Sequence, residues 1–581
     1  MAEDNNPPPG PSPSAGSVFS VSSSYDGGYM ERSMYIAPDK FRGEDGSDIN
    51  YTIPAHSEAN QKLANLQRAF EMPPRAVRES LFENFWTRCY FWDPIVDRSQ
   101  VMEIAPDKVS PLLLQSIFLA GSRMLSPSQP HNYASAQDYY TRAKTLFWLD
   151  CEKDPLTLLV AASLMHWWNP HGPERVSTNT SSFWCRITVS LAQQMGIHRL
   201  KKPVPNESLR RRLWWSIVAR DCLISLAHGR PQAINLEESD IPKPTLEDFP
   251  NSTQTGLFFI AYVDLSMIVG RFTRHKIRKS SSRDQNEDIG HSLYQWNRTL
   301  PEPLRLSSYN SKRQSNIYSF SKPYNLESRQ LNILYLVMIT LLYRSKSLDD
   351  PFPTAAVLAA STVAGIFEDF LARDEVRFLG ACFTFHLLAA SIALLSCYKY
   401  PELWALAQED LNTLAQAQEE MKKKWPSALG SIGSFDRMFK LAVATQKKVA
   451  QLPESTLTPD QAAFFEDYNM TLCRMHAILV PKRDGYGSRR AQHENNSTNK
   501  VNQQPTSVAE SGHGNGNLKE DMILIPPYYA QGESIGQQFI IEQPGLPDEP
   551  LNFDHMFQEN AGQLDDAIGD WLFWDQPPLD N

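Results

Sequence analysis

Histidines at positions 166, 171, 198 and 228, and the paired acids Asp349-Asp350, are the residue types that acid–base or metal chemistry uses. Their spacing does not assemble such chemistry. None of His166, His171, His198 or His228 sits in an HExxH pattern, no two-carboxylate helical motif or nucleophile constellation is present, and no glycine-rich loop could cradle a phosphate. His198 and His228 fall at expected helix ends, where histidines cap or pack. Asp349-Asp350 runs into Pro351-Phe352-Pro353 and suits a turn or an N-cap. The seven cysteines, Cys89, Cys151, Cys185, Cys222, Cys382, Cys397 and Cys473, are 62, 34, 37, 160, 15 and 76 positions apart, with no CxxC pair. Tetrahedral thiolate sites bring sulfurs together through short loops, so buried reduced thiols are expected, without a zinc cluster, a disulfide framework or any cofactor. These residues predict no catalytic group and no bound metal.

One stretch concentrates charge against apolar surface: LRRRLWWSIVARDCLISLAHGRPQAI, residues 209–234. A helix from about Glu207 to Ala227 puts Leu213, Ile217 and Ile224 on one side, widened by Trp214, Val218 and Cys222. Asp221 lies four residues from Ile217 and three from Ile224, so it points into that apolar flank. A buried carboxylate needs a cation or several donors. The expected partners are Arg230, just past a C-cap at Gly229, and Arg186 on the preceding helix, locking the helix end to its neighbour. Arg210, Arg211 and Arg212 are too few and too close to an apolar helix to mark nucleic-acid binding, and sit where the helix dipole does not favour cations. KKKW at 422–425 reads as a solvated helix end.

The elements that would position these residues are helical. SPLLLQSIFLAGSRML begins with Ser110 as N-cap and Pro111 at the first helical position. Phe183, Ile187, Leu191 and Met195 recur every four residues in the next segment, which Gly196 ends. Further helices are expected at 325–347, 352–372, 376–398, 401–424 and 435–450, and strand alternation is not sustained anywhere. GACFTFHLLAASIALLSCY, Gly380 to Tyr398, is uncharged over a near-membrane length, but its polar Thr, His and Ser residues and its helical neighbours favour a buried core helix. The N-terminal MAEDNNPPPG has none of the charge and apolar run of a secretory signal, and an intracellular protein is expected. The formal charge of −10 gives no overall attraction to phosphate. The chain thus reads as an all-α protein: a Pro/Ser/Gly-rich unstructured segment over 1–75, a large multi-helix regulatory domain over 76–450, a terminal helix within 451–482, a polar linker over 483–520 and an acidic-aromatic tail over 521–581.

That tail holds twelve Asp or Glu and no Lys or Arg. Phe553, Phe557, Leu564, Ile568, Trp571, Leu572, Phe573 and Trp574 supply apolar contacts along it. Acids keep such a segment solvated until it orders in a partner's groove, the composition of an acidic-hydrophobic activation segment. Docking of the same residues as a C-terminal helix on their own domain is the alternative.

FWCRITVSLAQQMGIHRL, RRRLWWSIVARDCLISLAHGRPQAINLEESDIPKP and FWDPIVDRSQVMEI together resemble the middle homology region of fungal zinc-cluster transcription factors. The resemblance runs from Phe82 to Phe249 and extends toward residue 450. Gly196, His198 and Arg199 fit the family's Gly-Ile/Leu-His-Arg turn, and Arg212, Trp214 and Trp215 its arginine-tryptophan segment. Asp221, Gly229, Arg230, Pro231, Asp240, Ile241 and Pro242 fit the acidic, Gly-Arg-Pro and Asp-hydrophobic-Pro positions that follow. The resemblance implies an all-helical regulatory domain, a nuclear location and control of transcription. Cys222 stands where the family commonly has an arginine, and the six-cysteine zinc cluster of the family is not found in these residues. The expected partners are therefore a DNA-binding transcription factor or a second copy of the chain, and the transcriptional machinery through the tail, with no direct DNA contact and no membrane. A helical small-molecule-binding or enzymatic domain is the alternative, favoured if the tryptophans at 167, 168, 214 and 215 enclose a cavity with convergent unpaired donors.

Overall fold

The computed structural model describes residues 58–480, apart from 104–107, 126–132, 200–204, 279–281, 307–322, 346–350, 446–447, 450, 460, 463–464 and 466–471. The segments 483–520 and 521–581, with the apolar residues of the tail, lie outside the described residues, as do Asp349 and Asp350. Among the described residues every regular element is a helix: α1 (Glu58–Leu66), α2 (Arg75–Asn84), α3 (Arg98–Met102), α4 (Pro111–Arg123), α5 (Ala136–Trp148), α6 (Pro155–Leu164), α7 (Ser181–Gln194), α8 (Glu207–His228), α9 (Thr253–Ile277), α10 (Arg283–Thr299), α11 (Leu326–Tyr343), α12 (Thr354–Ala372), α13 (Phe383–Leu394), α14 (Pro401–Lys424), α15 (Ala428–Thr445) and α16 (His476–Leu479).

Local chemistry sets the helix starts. Ser110 Oγ accepts from Leu113 N at 3.3 Å ahead of Pro111. Asp154 does the same for Thr157 N at 2.8 Å ahead of Pro155, and Thr180 caps α7 through Phe183 N. Ser135 and Asp138 form a reciprocal capping box on α5. Two helices stop on left-handed glycines, Gly196 (φ 67°) and Gly229 (φ 60°). Beyond each, a backbone amide reaches back five residues, Ile197 N to Ala192 O at 2.9 Å and Arg230 N to Ser225 O at 3.1 Å, the hydrogen bond that a left-handed C′ residue permits.

Successive helices pack as pairs, α4 on α5, α8 on α9 and α11 on α12, while α12 also meets α13 and α14. The middle of this array is apolar all round, as a fully enclosed helix must be. Nearly every residue of α12 and α13 is buried. The uncharged stretch 380–398 is therefore core, broken into a short helical turn, α13 and a 3₁₀ turn over Leu395–Lys399 rather than one continuous helix. Thr253–Ile277 and Thr354–Ala372 are long and apolar enough to cross a bilayer, yet most of their residues are buried against neighbouring helices.

Three boundaries differ from the sequence expectation. Regular structure begins at Glu58, inside the stretch expected to be unstructured, because Ala64 and Ala69 are small enough to seat α1 and its exit against the core. Helices α9 and α10, not named from the sequence, supply Phe258, Phe259, Tyr262 and Trp296 to the interior. The last segment, expected to hold a terminal helix, has helical residues at 459, 461–462 and 465 and, apart from them, the one-turn helix α16, held by buried Met475 and Leu479.

Gly121 lets α4 cross the exit of α2 at backbone distance: a Cβ there would lie 2.2 Å from Leu81 O. Gly121→Ala is expected to lose about 1–3 kcal/mol through overpacking, read as a lower urea midpoint with an unchanged denaturant slope.

Candidate ligand cavity and its carboxylate clamp

Asp93 follows the π-helical turn Phe85–Cys89 that ends α2, and its side chain is fully buried. Burial alone would neutralise it, so the site is built from donors. Oδ1 accepts from Ser216 Oγ at 3.0 Å and from the Arg220 guanidinium, both one face of α8. Oδ2 meets His166 Nε2 at 2.9 Å and Trp167 Nε1 at 3.1 Å, both on the 3₁₀ turn that continues α6. Burial works to raise the Asp93 pKa, but Arg220, His166 and Ser216 outweigh it and hold the carboxyl well below its usual range. Burial, reinforced by Arg220, pushes His166 down to about 4. At neutral pH the cluster is therefore a carboxylate and a guanidinium with a neutral imidazole, whose Nε2 carries the shared proton.

The grouping contains Ser, His and Asp but not the wiring of a nucleophile. In a catalytic triad the imidazole stands between hydroxyl and carboxylate and takes the hydroxyl proton. Here the carboxylate stands in the middle and Ser216 donates to it directly, while Arg220 and His166 hold that carboxylate ionised and weakly basic. Among the described residues no three His, Cys, Asp or Glu side chains gather as metal ligands.

Beside this clamp lies a cavity of about 790 Å³. Trp92, Trp167 and Tyr262 wall it near Asp93. The α8 residues Arg220, Leu223, Ala227 and His228 form one side, Cys382, Phe383 and His386 another, and Trp425 with the first turns of α15 the third. Trp92 is fixed by Nε1 donating to buried Gln330 Oε1 at 3.1 Å and by edge contacts with Phe258 and Tyr262. Burial drives His386 down to about 3, and burial with Arg230 drives His228 to about 4, so both rings are neutral. Of the four tryptophans expected to enclose such a space only Trp167 lines it. Trp168 stacks on Tyr140, Trp214 is sealed in the core against His198, and Trp215 Nε1 donates to Pro242 O at 2.7 Å.

The expected pairing of Asp221 with an arginine is corrected by these contacts. Asp221 is buried, but its carboxylate accepts from Ala233 N (2.8 and 3.1 Å) and Ile234 N (3.0 Å). Backbone donors of a loop supply what a cation was expected to supply. Burial keeps its pKa raised while these amides and the charge of Arg186 pull it down. Arg186 instead donates to Pro231 O, and Arg230 to Pro173 O at 2.7 Å. The remaining motif residues meet on the same segment: Arg199 pairs with Asp240 at 3.5 Å, and Asp240 N and Ser239 Oγ reach His198 O.

The arginine run is held within the fold. Arg211 bridges Asp248 (2.8 Å) and Glu207 (2.6 Å), Arg212 lies over the Phe249 ring, and Arg210 reaches Pro205 O. KKKW divides: Lys422 and Lys423 pair with Glu419 and Glu420, but Lys424 turns inward. Its Nζ donates to Arg123 O, Leu125 O and Arg377 O at 2.8–2.9 Å, and Trp425 is buried with Nε1 on Leu379 O. The solvated reading thus fails for Lys424, because the helix ends against carbonyls that need donors. Burial, with Arg123 and Arg377 nearby, brings it down to about 7.

Residues 82–349 match the fungal specific transcription factor domain. This chain carries a domain of that family. The matched span runs from the end of α2 through α11 and contains the whole Asp93 clamp; α12 to α15 close the cavity beyond it. Cutinase transcription factor 1 alpha of Fusarium vanettenii is 27% identical over 61% of this chain and 42% of its own length. The acetamidase regulatory proteins of Aspergillus fumigatus and Emericella nidulans are 28% and 29% identical, over 63% and 54% of this chain and 49% and 40% of theirs. The chain spans about half the length of the curated relatives it matches. No solved structure matches it.

Of the clamp, the sequence alone draws attention only to His166, and to that without a partner; Asp93, Ser216 and Arg220 are not singled out. The available signal was Asp-Pro within the aromatic run Tyr90-Phe91-Trp92, a charge with no solvent-facing neighbours.

Two outcomes check the clamp. Asp93→Asn presents an amide N–H₂ to groups that already donate and leaves Arg220 without its counter-charge, so a loss of about 3–5 kcal/mol is expected by chemical denaturation. His166, His228 and His386 have folded-state pKa values below the unfolded value near 6.5. The unfolded chain therefore binds more protons between about pH 4 and 6.5, and stability falls on acidification through that window. Denaturation midpoints at successive pH values should show this slope, and His166→Gln should make it shallower.

Proposed function

We propose that the protein regulates transcription in the nucleus, its helical domain acting as the control module and residues 521–581 contacting the transcriptional machinery. The observation that carries this reading is the match of residues 82–349 to a transcription factor domain, over the elements that build the Asp93 clamp. The names of the relatives, a cutinase transcription factor and acetamidase regulatory proteins, support the same role. Promoter contact is assigned to a partner, a DNA-binding transcription factor or a second copy, because the cysteines of these 581 residues have no zinc-cluster spacing and the arginine run Arg210, Arg211 and Arg212 is engaged within the fold.

The clamp itself favours regulation over turnover, since its serine faces a carboxylate that Arg220 and His166 keep weakly basic. Phe553, Phe557, Leu564, Ile568, Trp571, Leu572, Phe573 and Trp574 are the tail residues assigned to partner contact.

Fused to a foreign DNA-binding module, the full chain is expected to activate a reporter, and deletion of 521–581 to abolish that activity. Replacing Trp571, Phe573 and Trp574 together by alanine should remove most of it. A silent or repressing fusion would contradict activation by the tail, and tight sequence-specific DNA binding by the purified chain would contradict the need for a partner.

A further inference from the structure

The cavity is too large to be a packing imperfection. Protein interiors hold few voids bigger than a water molecule, whereas about 790 Å³ lies in the range of sites that enclose a drug-sized ligand. We propose that this cavity binds an uncharged, mainly apolar small molecule. The proposal deepens the reading of the helical domain as a control module by giving the class of molecule to which it responds.

Charge decides the ligand class. The ions that meet at the clamp are the Asp93 carboxylate and the Arg220 guanidinium, and they already neutralise one another. His166, His228 and His386 are neutral. At the mouth, exposed Glu174 and Arg437 contribute one charge of each sign. A ligand bearing net charge would lose its hydration inside without gaining an uncommitted counter-ion, a loss of several kcal/mol.

The wall makes that ligand mainly apolar. His386 is 3% exposed, its ring is held edge-on by Phe383 and Phe385, and its Nδ1 is sealed within the protein rather than open to the cavity. Ser427 Oγ is sealed in the same way. The aromatic faces of Trp92, Trp167, Tyr262 and Trp425 supply the apolar contact. The α15 turn beside the mouth, Leu429-Gly430-Ser431-Ile432-Gly433, is poor in helix propensity and carries an exposed leucine, so it yields at low cost to an entering molecule.

Two probes on one scaffold test the proposal with the full chain: N-phenyl-1-naphthylamine, uncharged with one N–H, and its anionic sulfonate, 8-anilinonaphthalene-1-sulfonate. Energy transfer from the cavity tryptophans reports binding. The neutral probe is expected to bind one per chain, at least tenfold more tightly than the sulfonate. Gly380→Leu and Gly433→Leu fill the cavity from two elements. A Cβ at either position meets its nearest neighbour at an ordinary 3.7 Å, so both variants should keep the thermal midpoint. Both should lose at least tenfold in neutral-probe affinity. Equal or tighter binding of the sulfonate overturns the proposal, as does absence of neutral-probe binding or indifference of that binding to both filling variants. Reporter activity of the tethered tail is measured separately, so failure of the ligand proposal and failure of the transcriptional reading are distinguishable.

Discussion

A single carboxylate with no access to water organises this domain. Asp93 joins the exit of α2 to the turn after α6 and to the middle of α8, elements 73 to 127 positions away along the chain. Leaving such a group unpaired inside a protein costs far more than any one of its hydrogen bonds returns. The three elements are therefore bound together less by the strength of each contact than by the penalty for separating any of them. The same penalty explains why the donors are so varied. A guanidinium supplies charge, while a hydroxyl, an indole and an imidazole fill the remaining lone-pair directions, so that both oxygens are satisfied without a second net charge being buried.

Asp221 shows the same physics solved by different means. It directly follows Arg220 on α8, yet recruits no cation; the amides of Ala233 and Ile234 take that place. The consequence is positional. Once residues 233 and 234 are pinned to α8, the chain leaving Gly229 must fold back along the helix. Pro231 O then reaches Arg186, Trp215 reaches Pro242, and Asp240 reaches Arg199 and the backbone of His198. The family-like residues thus form one wrapping around α7 and α8. Gly196 and Gly229 serve it by ending both helices in left-handed conformation, which turns the chain back within a single residue.

What the sequence disclosed follows from the range over which each signal acts. Helix type, the cap at Ser110 and the buried character of 380–398 depend on residues within a turn or two, and local periodicity carries them. That Asp221 faces the interior was legible for the same reason, since Ile217 and Ile224 flank it at helical spacing. Its partners were not, because a loop amide has no side-chain signature. The Asp93 cluster was hidden by distance: nothing near Pro94 indicates that Ser216 or Arg220 will arrive there. Lys424 misled in the opposite way. Three adjacent lysines look alike as a charge run, but only the last occupies the end of α14, where the free carbonyls of Arg123, Leu125 and Arg377 converge.

The cavity and the clamp are consequences of one arrangement. Arg220 has to reach Asp93 from α8, and this keeps the C-terminal half of that helix, with Leu223, Ala227 and His228, standing away from α13 rather than packed into it. Small residues on the facing wall, Gly380, Ala381 and Cys382, do not fill the gap, and α15 crosses it with glycines and serines. A core selected only for stability would place Leu or Phe at such positions, since closing a void of this size returns dispersion and transfer energy together. Here small side chains line the space on two sides while the third is aromatic and rigid, and the neighbouring ions neutralise each other without facing a charged guest. That distribution resists collapse and leaves an apolar space with no uncommitted charge.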